Sequence, residues 1–198
     1  MSIRLEHITK AYDAKPVLTD FSLEISDEEC VALMGESGAG KTTILRILMG
    51  LEQPDAGTVC VSGGRLAVVF QENRLCEEFS VWENLCMVLP DGGKQSTTQK
   101  LLEACLARVG LAAWKMEPVT KLSGGMKRRV AIVRAVAYAK MQPCAAVLLD
   151  EPFKGLDDKT REMVMEFVRE YTQNQCVLLV THDREEAEFF SKRTVVIA

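Results

Sequence analysis

The sequence predicts an α/β fold built around a parallel β-sheet. Three short segments, residues 30–34, 145–149 and 176–180, contain only apolar residues and are separated by stretches with helical spacing. A strand of a parallel sheet is buried on both faces and therefore reads as a continuous apolar run. Buried strands that alternate with helices are typical of an α/β core.

The amino-terminal segments have a different pattern. Ile3 and Leu5, and then residues 17–25, are predicted to be strands, and in the second one Phe21, Leu23 and Ile25 alternate with polar residues. Strict alternation is typical of a half-exposed antiparallel strand. We therefore expect an antiparallel β subdomain beside the parallel sheet.

Two further short strands are predicted farther along. Residues 58–61 and 66–70 are rich in β-forming residues and are linked through Gly63 and Gly64. A Gly-Gly pair between two such runs is a strong local signal for a β-hairpin. We expect these residues to pair with each other.

Helical segments make up most of the remaining chain. The spacing of apolar residues predicts helices over residues 41–51, 80–88, 101–109, 123–140 and 158–171, and a short helix before a last strand at 194–197. Residues 75 to 120 are predicted to form a helical subdomain within a single domain that covers residues 1–198.

Composition limits the classes of function. Hydrophobic residues make up 47% and charged residues 26% of the chain, and the formal net charge is -4. A dedicated nucleic-acid-binding protein usually has a basic surface, so a nucleic-acid partner is not expected. The sequence contains neither an apolar signal region at its start nor an apolar run of membrane-spanning length, so any role at a membrane requires a partner protein.

The seven cysteines are scattered along the chain and form no C-x-x-C pair. This spacing indicates neither a zinc ribbon nor a redox-active dithiol. Most of them have apolar neighbours, and buried, reduced thiols are therefore expected.

The segment Gly35–Thr42 matches the pattern G-x-x-x-x-G-K-[ST] of a phosphate-binding loop. Glycines allow the backbone N–H groups to point inward at an anion, and the helix that follows directs its positive end at the same place. Lys41 reaches the terminal phosphates of a nucleotide, and the hydroxyl of Thr42 is a ligand for Mg²⁺. The buried strand before the loop and the helix after it fit this prediction.

Asp150 and Glu151 follow the apolar strand at residues 145–149. In phosphate-loop proteins an aspartate in this position holds Mg²⁺, commonly through water. The next carboxylate, Glu151, is then placed to orient or deprotonate an attacking water molecule.

Five further segments resemble those of the ATP-binding-cassette (ABC) ATPases, and the resemblance covers essentially the whole chain. They are Leu122-Ser123-Gly124-Gly125-Met126, Gln71, Gly155-Leu156-Asp157, His182 and Tyr12. Their order along the chain is that of the family. In the family's signature sequence Gln often stands where this chain has Met126.

The resemblance implies a fold and a set of site residues. The fold is the phosphate-loop NTPase core with a parallel sheet, an antiparallel β subdomain and a helical subdomain. Glu151, His182 and Gln71 are then the catalytic residues, and Thr42, Gln71 and Asp150 contact Mg²⁺. The residues that contact ATP are Tyr12, which stacks on adenine, Gly35, Glu36, Ser37, Gly38, Ala39, Gly40, Lys41, Thr42, Thr43, Ser123, Gly124 and Gly125.

In the family, the segment Ser123-Gly124-Gly125 contacts the γ-phosphate held by a second cassette, so two chains enclose two ATP molecules. The start of a helix is an anion site in any case, because its N–H groups lack partners. Four basic residues follow this segment, and we interpret them as a solvated helix face in preference to a phosphate-steering patch: Lys127, Arg128, Arg129 and Arg134.

Residues 70–75, 83–85 and 150–157 are similar to those of the nitrate, sulfonate and taurine group of importer ATPases. This similarity implies an importer subunit that works with membrane permease subunits and a solute-binding protein at the cytoplasmic face of the bacterial plasma membrane. Two alternatives remain at this point: a cassette of an exporter or of a lipid or lipoprotein translocation system, and a nucleotide-dependent binding module without turnover. The presence of Lys41, Asp150, Glu151 and His182 disfavours the binding module.

Overall fold

The computed structural model describes residues 2–197. In chain order, its strands and α-helices are β1 (Ile3–Tyr12), β2 (Lys15–Ile25), β3 (Cys30–Gly35), α1 (Lys41–Leu48), β4 (Ala56–Val61), β5 (Leu66–Val69), α2 (Val81–Cys86), α3 (Ser96–Arg108), α4 (Gly124–Met141), β6 (Ala146–Asp150), α5 (Asp158–Tyr171), β7 (Val177–Val180), α6 (Arg184–Phe190) and β8 (Arg193–Ile197). Two short 3₁₀ helices lie at Ala112–Trp114 and Val119–Lys121.

These elements form two compact units. The first contains the residues up to 68, residues 144–151 and the residues from 174 onward. The second contains residues 69–143 and 152–173. The chain therefore passes between the two units four times.

A five-stranded sheet in the order β5-β6-β7-β3-β8 contains all three of the apolar runs. β3 pairs in parallel with both β7 and β8, and β6 pairs in parallel with β7. Every residue of β6 and of β7 is buried. The prediction of a parallel sheet is confirmed, and the continuous apolar runs are explained by cover on both faces.

The second sheet has the order β2-β1-β4 and is antiparallel. β1 and β2 are joined by Asp13 and Ala14, which have φ angles of 48° and 61°. Two successive residues with positive φ form the tight turn whose twist matches that of a β-hairpin. The expected antiparallel subdomain is present, although β1 runs much farther than the two residues that indicated it.

The predicted hairpin of residues 58–61 and 66–70 is wrong. β4 pairs with β1, with Val59 opposite Leu5 and Val61 opposite Ile3, whereas β5 joins the five-stranded sheet. The Gly-Gly signal describes only a local turn. Burial against distant strands decides which sheet each segment joins, because strand preference depends on packing with neighbours.

The first unit has one hydrophobic core that both sheets share. Ile3, Leu5 and Ile8 of the antiparallel sheet are in one cluster with Val31, Leu33 and Leu178 of the parallel sheet. α1 adds its buried face to the same cluster through Ile44, Leu45, Ile47 and Leu48. This core therefore fixes β3 and α1, the two elements on either side of the phosphate-binding loop.

The second unit is helical. α4 packs against α2, α3 and α5. α2 begins with a capping box, in which Ser80 Oγ accepts a hydrogen bond from the Glu83 amide and the Glu83 carboxylate accepts one from the Ser80 amide. Residues 75–120 contribute α2, α3 and the two 3₁₀ helices to this unit, and their boundary as a helical subdomain stays a prediction.

The seven cysteines are free thiols, but the expectation that they are buried is only partly right. Cys86, Cys105 and Cys176 are buried, whereas Cys60 and Cys76 are exposed. Burial raises the pKa of the Cys105 and Cys176 thiols to about 11. Within residues 2–197, no helix is both long enough and apolar enough to span a membrane.

Candidate functional site: a nucleotide-binding edge of the parallel sheet

The phosphate-binding loop connects β3 to α1, as the sequence predicts. Gly38 and Gly40 have φ angles of 89° and 95°, in the left-handed region that favours glycine. A Cβ atom on Gly40 would lie 2.8 Å from Cδ2 of Leu18 and 3.1 Å from the carbonyl oxygen of Val17. The pattern therefore requires a glycine at position 40 for both conformation and space.

Lys41 already holds this loop together. Its Nζ donates hydrogen bonds to the carbonyl oxygens of Gly35 and Glu36, each at 2.7 Å. The first helical bond of α1 runs from the Ile44 amide to the carbonyl of Gly40. The amides of Lys41, Thr42 and Thr43 precede that bond and lie at the positive end of the helix, where an anion is favoured.

Asp150 and Glu151 lie where β6 ends. Asp150 pairs with Val180 of β7, and the Glu151 amide extends the ladder with a 2.8 Å bond to the Val180 carbonyl. Asp150 is buried, with 8% of its surface exposed. Glu151 has a φ of 43°, a left-handed conformation that costs a non-glycine residue about 1–3 kcal/mol. The catalytic role of Glu151 stays a prediction.

His182 lies at the same edge of the sheet as Glu151. It follows β7, and its Nδ1 lies 3.3 Å from Oε1 of Glu151. The His182 side chain is 64% exposed, whereas that of Glu151 is 16% exposed. The imidazole of His182 is therefore accessible to a ligand, and it lies beside the less exposed carboxylate of Glu151.

The sheet order brings these groups together. β6, β7 and β3 are consecutive neighbours and parallel, so the segments that follow them leave the same edge. The amide of Thr181 donates to the Leu33 carbonyl, which ties the start of the His182 segment to the strand that leads into the phosphate loop. In open α/β sheets, ligands bind outside the carboxyl ends of the strands.

Tyr12 lies in the same unit, at the end of β1. This residue is 38% exposed, and the Lys10 ammonium lies 5.4 Å from the ring centroid. Lys10 is itself held by Asp55 and Glu52, at 3.1 Å each. Tyr12 is thus an exposed aromatic ring on a well-held strand end, and its contact with adenine stays a prediction.

Two residues of this unit offer oxygen ligands of the kind that Mg²⁺ prefers. Asp150 and Thr42 offer a carboxylate and a hydroxyl, the hard oxygen ligands that Mg²⁺ prefers. Among residues 2–197, no group of three or more His, Cys, Asp or Glu side chains is arranged to hold a metal ion. A Mg²⁺ ion here would complete its coordination with nucleotide phosphates and water, as is usual for this ion.

The second unit carries two other predicted site segments. Gln71 follows β5 and is exposed, and Ser123 is the N-cap of α4, where its Oγ accepts a bond from the Met126 amide. Ser123 and Gly124 are exposed as well. The start of an 18-residue helix is therefore accessible to an anion from another molecule.

The third segment of the second unit, Gly155-Leu156-Asp157, leads into α5. Asp157 is the N-cap of this helix, and its Oδ1 accepts a bond from the Thr160 amide at 3.1 Å. The hydrogen bonds from Thr160 lower the pKa of the Asp157 carboxyl. Asp157 therefore has a clear structural role as a helix cap.

The interpretation of the basic run after Ser123 as a solvated face is wrong for Arg128, which is only 4% exposed. Its Nε donates to the Pro152 carbonyl at 2.7 Å, and its Nη1 donates to the Phe70 carbonyl at 2.5 Å. A run of basic residues normally indicates solvent. The available signal was helical spacing, since Arg128 lies four residues before the fully buried Ile132 and hence on the same face.

Comparison with known proteins identifies the family. The family model described as "ABC transporter" matches residues 18–154. An aliphatic sulfonates import ATP-binding protein, SsuB 3 of Paraburkholderia xenovorans, is 39% identical over 200 residues, which are 100% of this chain and 77% of that protein. A sulfate/thiosulfate import ATP-binding protein, CysA 1 of Agrobacterium fabrum, is 35% identical over 100% of this chain and 61% of its own length.

Solved structures of ABC cassettes have the same fold as this chain. An ATP-binding subunit of an ABC transporter superposes with a TM-score of 0.87 at 26% identity, over 100% of this chain and 86% of that chain. The ATP-binding cassette MJ0796, in a dimeric post-hydrolysis state bound to ADP and Pi, gives a TM-score of 0.85 at 27% identity, over 98% of this chain and 94% of that chain. Together with the phosphate loop and the edge of β6, β7 and β3, these likenesses show that the chain belongs to the ABC transporter family and is an ATP-binding, ATP-hydrolysing cassette.

Proposed function

We propose that this chain is the ATPase subunit that powers uptake of a solute by an ABC importer. The observation that carries the ATPase part is the single sheet edge that holds the phosphate loop, Asp150, Glu151 and His182. Import is supported by the similarity to the SsuB and CysA proteins, which are import ATP-binding proteins. The same relatives favour import over the alternative of an exporter or lipid-translocating cassette.

The residues of the first unit act as follows. The loop amides and Lys41 bind the phosphates, and Thr42 and Asp150 would hold Mg²⁺. The resemblance to the ABC ATPases assigns Gln71 a contact with Mg²⁺ and the attacking water. Bound Mg²⁺ neutralises charge on the phosphates. Glu151 orients a water molecule and accepts its proton as the water oxygen attacks the γ-phosphorus and ADP leaves. His182 contacts the γ-phosphate, and its hydrogen bond with Glu151 holds the two side chains next to each other.

Two cassettes enclose the nucleotides. The exposed start of α4 at Ser123 binds the γ-phosphate held by Lys41 of the other copy, and the dimeric form of the MJ0796 cassette supports this arrangement. ATP binds the closed pair more tightly than the open chain, and this difference in affinity shifts the population toward closure. Hydrolysis removes the γ-phosphate and with it the contact to Ser123.

The remaining partners are the other components of the membrane transporter. Permease subunits dock near Gln71 and change conformation as the cassettes close, and a solute-binding protein delivers the solute on the far side. The chain then works as a peripheral subunit on the cytoplasmic face of a bacterial plasma membrane.

The variant Glu151→Gln tests the catalytic part. It removes the proton acceptor but keeps the shape of the side chain, so the variant should bind ATP with Mg²⁺, turn over about 10²–10⁴-fold more slowly and accumulate as a dimer. Turnover is measured by phosphate release and the dimer by size-exclusion chromatography with light scattering. Glu166→Gln, an exposed change on α5, is the matched control and should behave as the wild type does. A Glu151→Gln protein with wild-type turnover contradicts the assignment of Glu151.

The transport part is tested by purification of the tagged protein from its own detergent-solubilised membranes, followed by mass spectrometry. Recovery of a permease together with a solute-binding protein is expected. Recovery of a permease without any solute-binding protein would favour the exporter alternative. Exclusively soluble partners would refute transport and leave the ATPase assignment intact.

A further inference from the structure

Arg128 joins three segments of the second unit. It lies on the second turn of α4, and its Nε donates to the Pro152 carbonyl at 2.7 Å. Its Nη1 donates to the Phe70 carbonyl at 2.5 Å and to the Gln71 carbonyl at 3.2 Å, and lies 3.4 Å from Oδ1 of Asn73. One buried guanidinium thus contacts both the segment that bears Gln71 and the residue that follows Glu151 in the chain.

These bonds are made to carbonyl groups beyond the end of β5. β5 ends at Val69, so the carbonyls of Phe70 and Gln71 lie beyond the strand ladder. A guanidinium presents its donors in a rigid plane, so the bond from Nε to Pro152 also fixes the direction in which Nη1 points.

A second arginine of α4 completes the arrangement. Arg134 donates to the carbonyl of Arg74 at 2.9 Å and to that of Asn73 at 3.1 Å. The backbone of residues 70–74 is therefore held against α4 at four carbonyls. The side chain of Gln71 is exposed, so the backbone of this residue is fixed while its amide group is accessible to a ligand.

We propose that Arg128 is a positioning residue for ATP hydrolysis that acts through Gln71. By fixing the Gln71 backbone relative to the start of α4 and to Pro152, it keeps the Gln71 amide where hydrolysis requires it. This inference rests on the proposed role of Gln71 at the metal and the attacking water. A misplacement of about 1 Å is enough to slow a reaction by about 10²-fold.

The test is the variant Arg128→Lys. A lysine ammonium keeps the charge and reaches one of the carbonyls, but it lacks the planar fork that spans Pro152 and Phe70 together. We expect the protein to stay folded, with kcat at least about tenfold lower and the affinity for ATP within about twofold of the wild type. Turnover is measured by phosphate release, and affinity by calorimetric titration with a non-hydrolysable ATP analogue and Mg²⁺.

Arg108→Lys is the matched control. Arg108 belongs to the same unit but makes a surface ion pair with Glu170 at 2.6 Å, with both side chains about half exposed. It should retain wild-type kcat. A kcat for Arg128→Lys that also lies within twofold of the wild type would overturn the proposal, as would a fall in kcat matched by an equal fall in affinity.

A double-mutant cycle with Gln71→Ala separates positioning from general structural support. If Arg128 acts through Gln71, the Lys substitution should lower kcat much less in the Gln71→Ala protein than in the wild type. Equal factors in both backgrounds would refute the proposal. Should Arg128→Lys fail to fold, the same cycle with Arg128→Gln decides, normalised to the folded fraction. Absence of turnover in the wild type would instead contradict the proposed ATPase function.

Discussion

Replacement of Gly40 by Ala measures how closely the phosphate loop is packed against the antiparallel sheet of its own unit. The new Cβ would lie 2.8 Å from Cδ2 of Leu18 and 3.1 Å from the carbonyl oxygen of Val17. Gly38 is the natural control. It has a similar φ of 89°, but nothing lies within 4 Å of its Cβ position.

The two costs can be separated. A left-handed backbone costs a residue with a side chain about 1–2 kcal/mol. Reduced freedom of the unfolded chain offsets about 0.4–1 kcal/mol of this, so Gly38→Ala should destabilise by about 1 kcal/mol. Overpacking adds about 1–3 kcal/mol at Gly40, for a total of about 3 kcal/mol. In a domain of this size each kcal/mol lowers Tm by about 3 °C, which gives about 3 °C for Gly38→Ala and about 9 °C for Gly40→Ala.

Thermal unfolding followed by circular dichroism, in buffer without nucleotide or Mg²⁺, provides the comparison. Without ligand, the difference between the two variants reports only on packing of the loop. Equal shifts in Tm for Gly38→Ala and Gly40→Ala would refute this reasoning, because they would show that Leu18 and Val17 give way at no cost.

Three further predictions concern binding, the core and pH. Lys41→Ala should raise the Kd for ATP by about 10- to 100-fold, as expected when a charged hydrogen-bond donor is lost; unchanged affinity in a calorimetric titration would remove Lys41 from the site. Leu178→Ala, at a fully buried position of β7, should cost about 2–5 kcal/mol in urea unfolding, whereas Leu51→Ala, at a 59% exposed position, should cost under about 0.5 kcal/mol. Hydrogen bonds from Thr160 hold the pKa of the Asp157 carboxyl below its ordinary value of 3.8. The helix cap that Asp157 forms should therefore stabilise the fold above pH 3.8 and lose this effect as the pH falls through the folded pKa. The difference in unfolding free energy between the wild type and Asp157→Ala should therefore shrink in acid, and a difference that is constant with pH would contradict this account.

The sequence predicts those parts of the molecule in which a local pattern and its chemistry coincide. Residues 30–34 and 177–180 lie in strands because their apolar runs are covered on both faces. The glycines of the segment Gly35–Thr42 form the turn between β3 and α1 that the phosphate-loop pattern predicts. For the same reason, Asp150 and Glu151 were expected at a strand end, where the structure places them.

Other features depend on contacts between distant residues. The partner of β4 is β1, which lies far earlier in the chain, and a local Gly-Gly signal carries no information about that choice. In the sequence, Arg128 looks like a surface residue. Its hydrogen-bond acceptors are backbone carbonyl groups, which every residue type has, so the residue types in the sequence do not reveal its partners. The strained φ of Glu151 is likewise invisible in the sequence, since glutamate has no preference for that conformation.

The hydrogen bonds of Lys41 have a consequence for the specificity of that position. An ammonium has three donors, and two of them are engaged by Gly35 and Glu36, so one remains for an incoming phosphate. The two carbonyl contacts restrict the Lys41 side chain before a nucleotide binds, which lowers the entropy cost of ordering it. An arginine would carry the same charge, but its larger, planar guanidinium cannot direct N–H donors toward the same three positions. The position thus selects the tetrahedral shape of the ammonium as well as its positive charge.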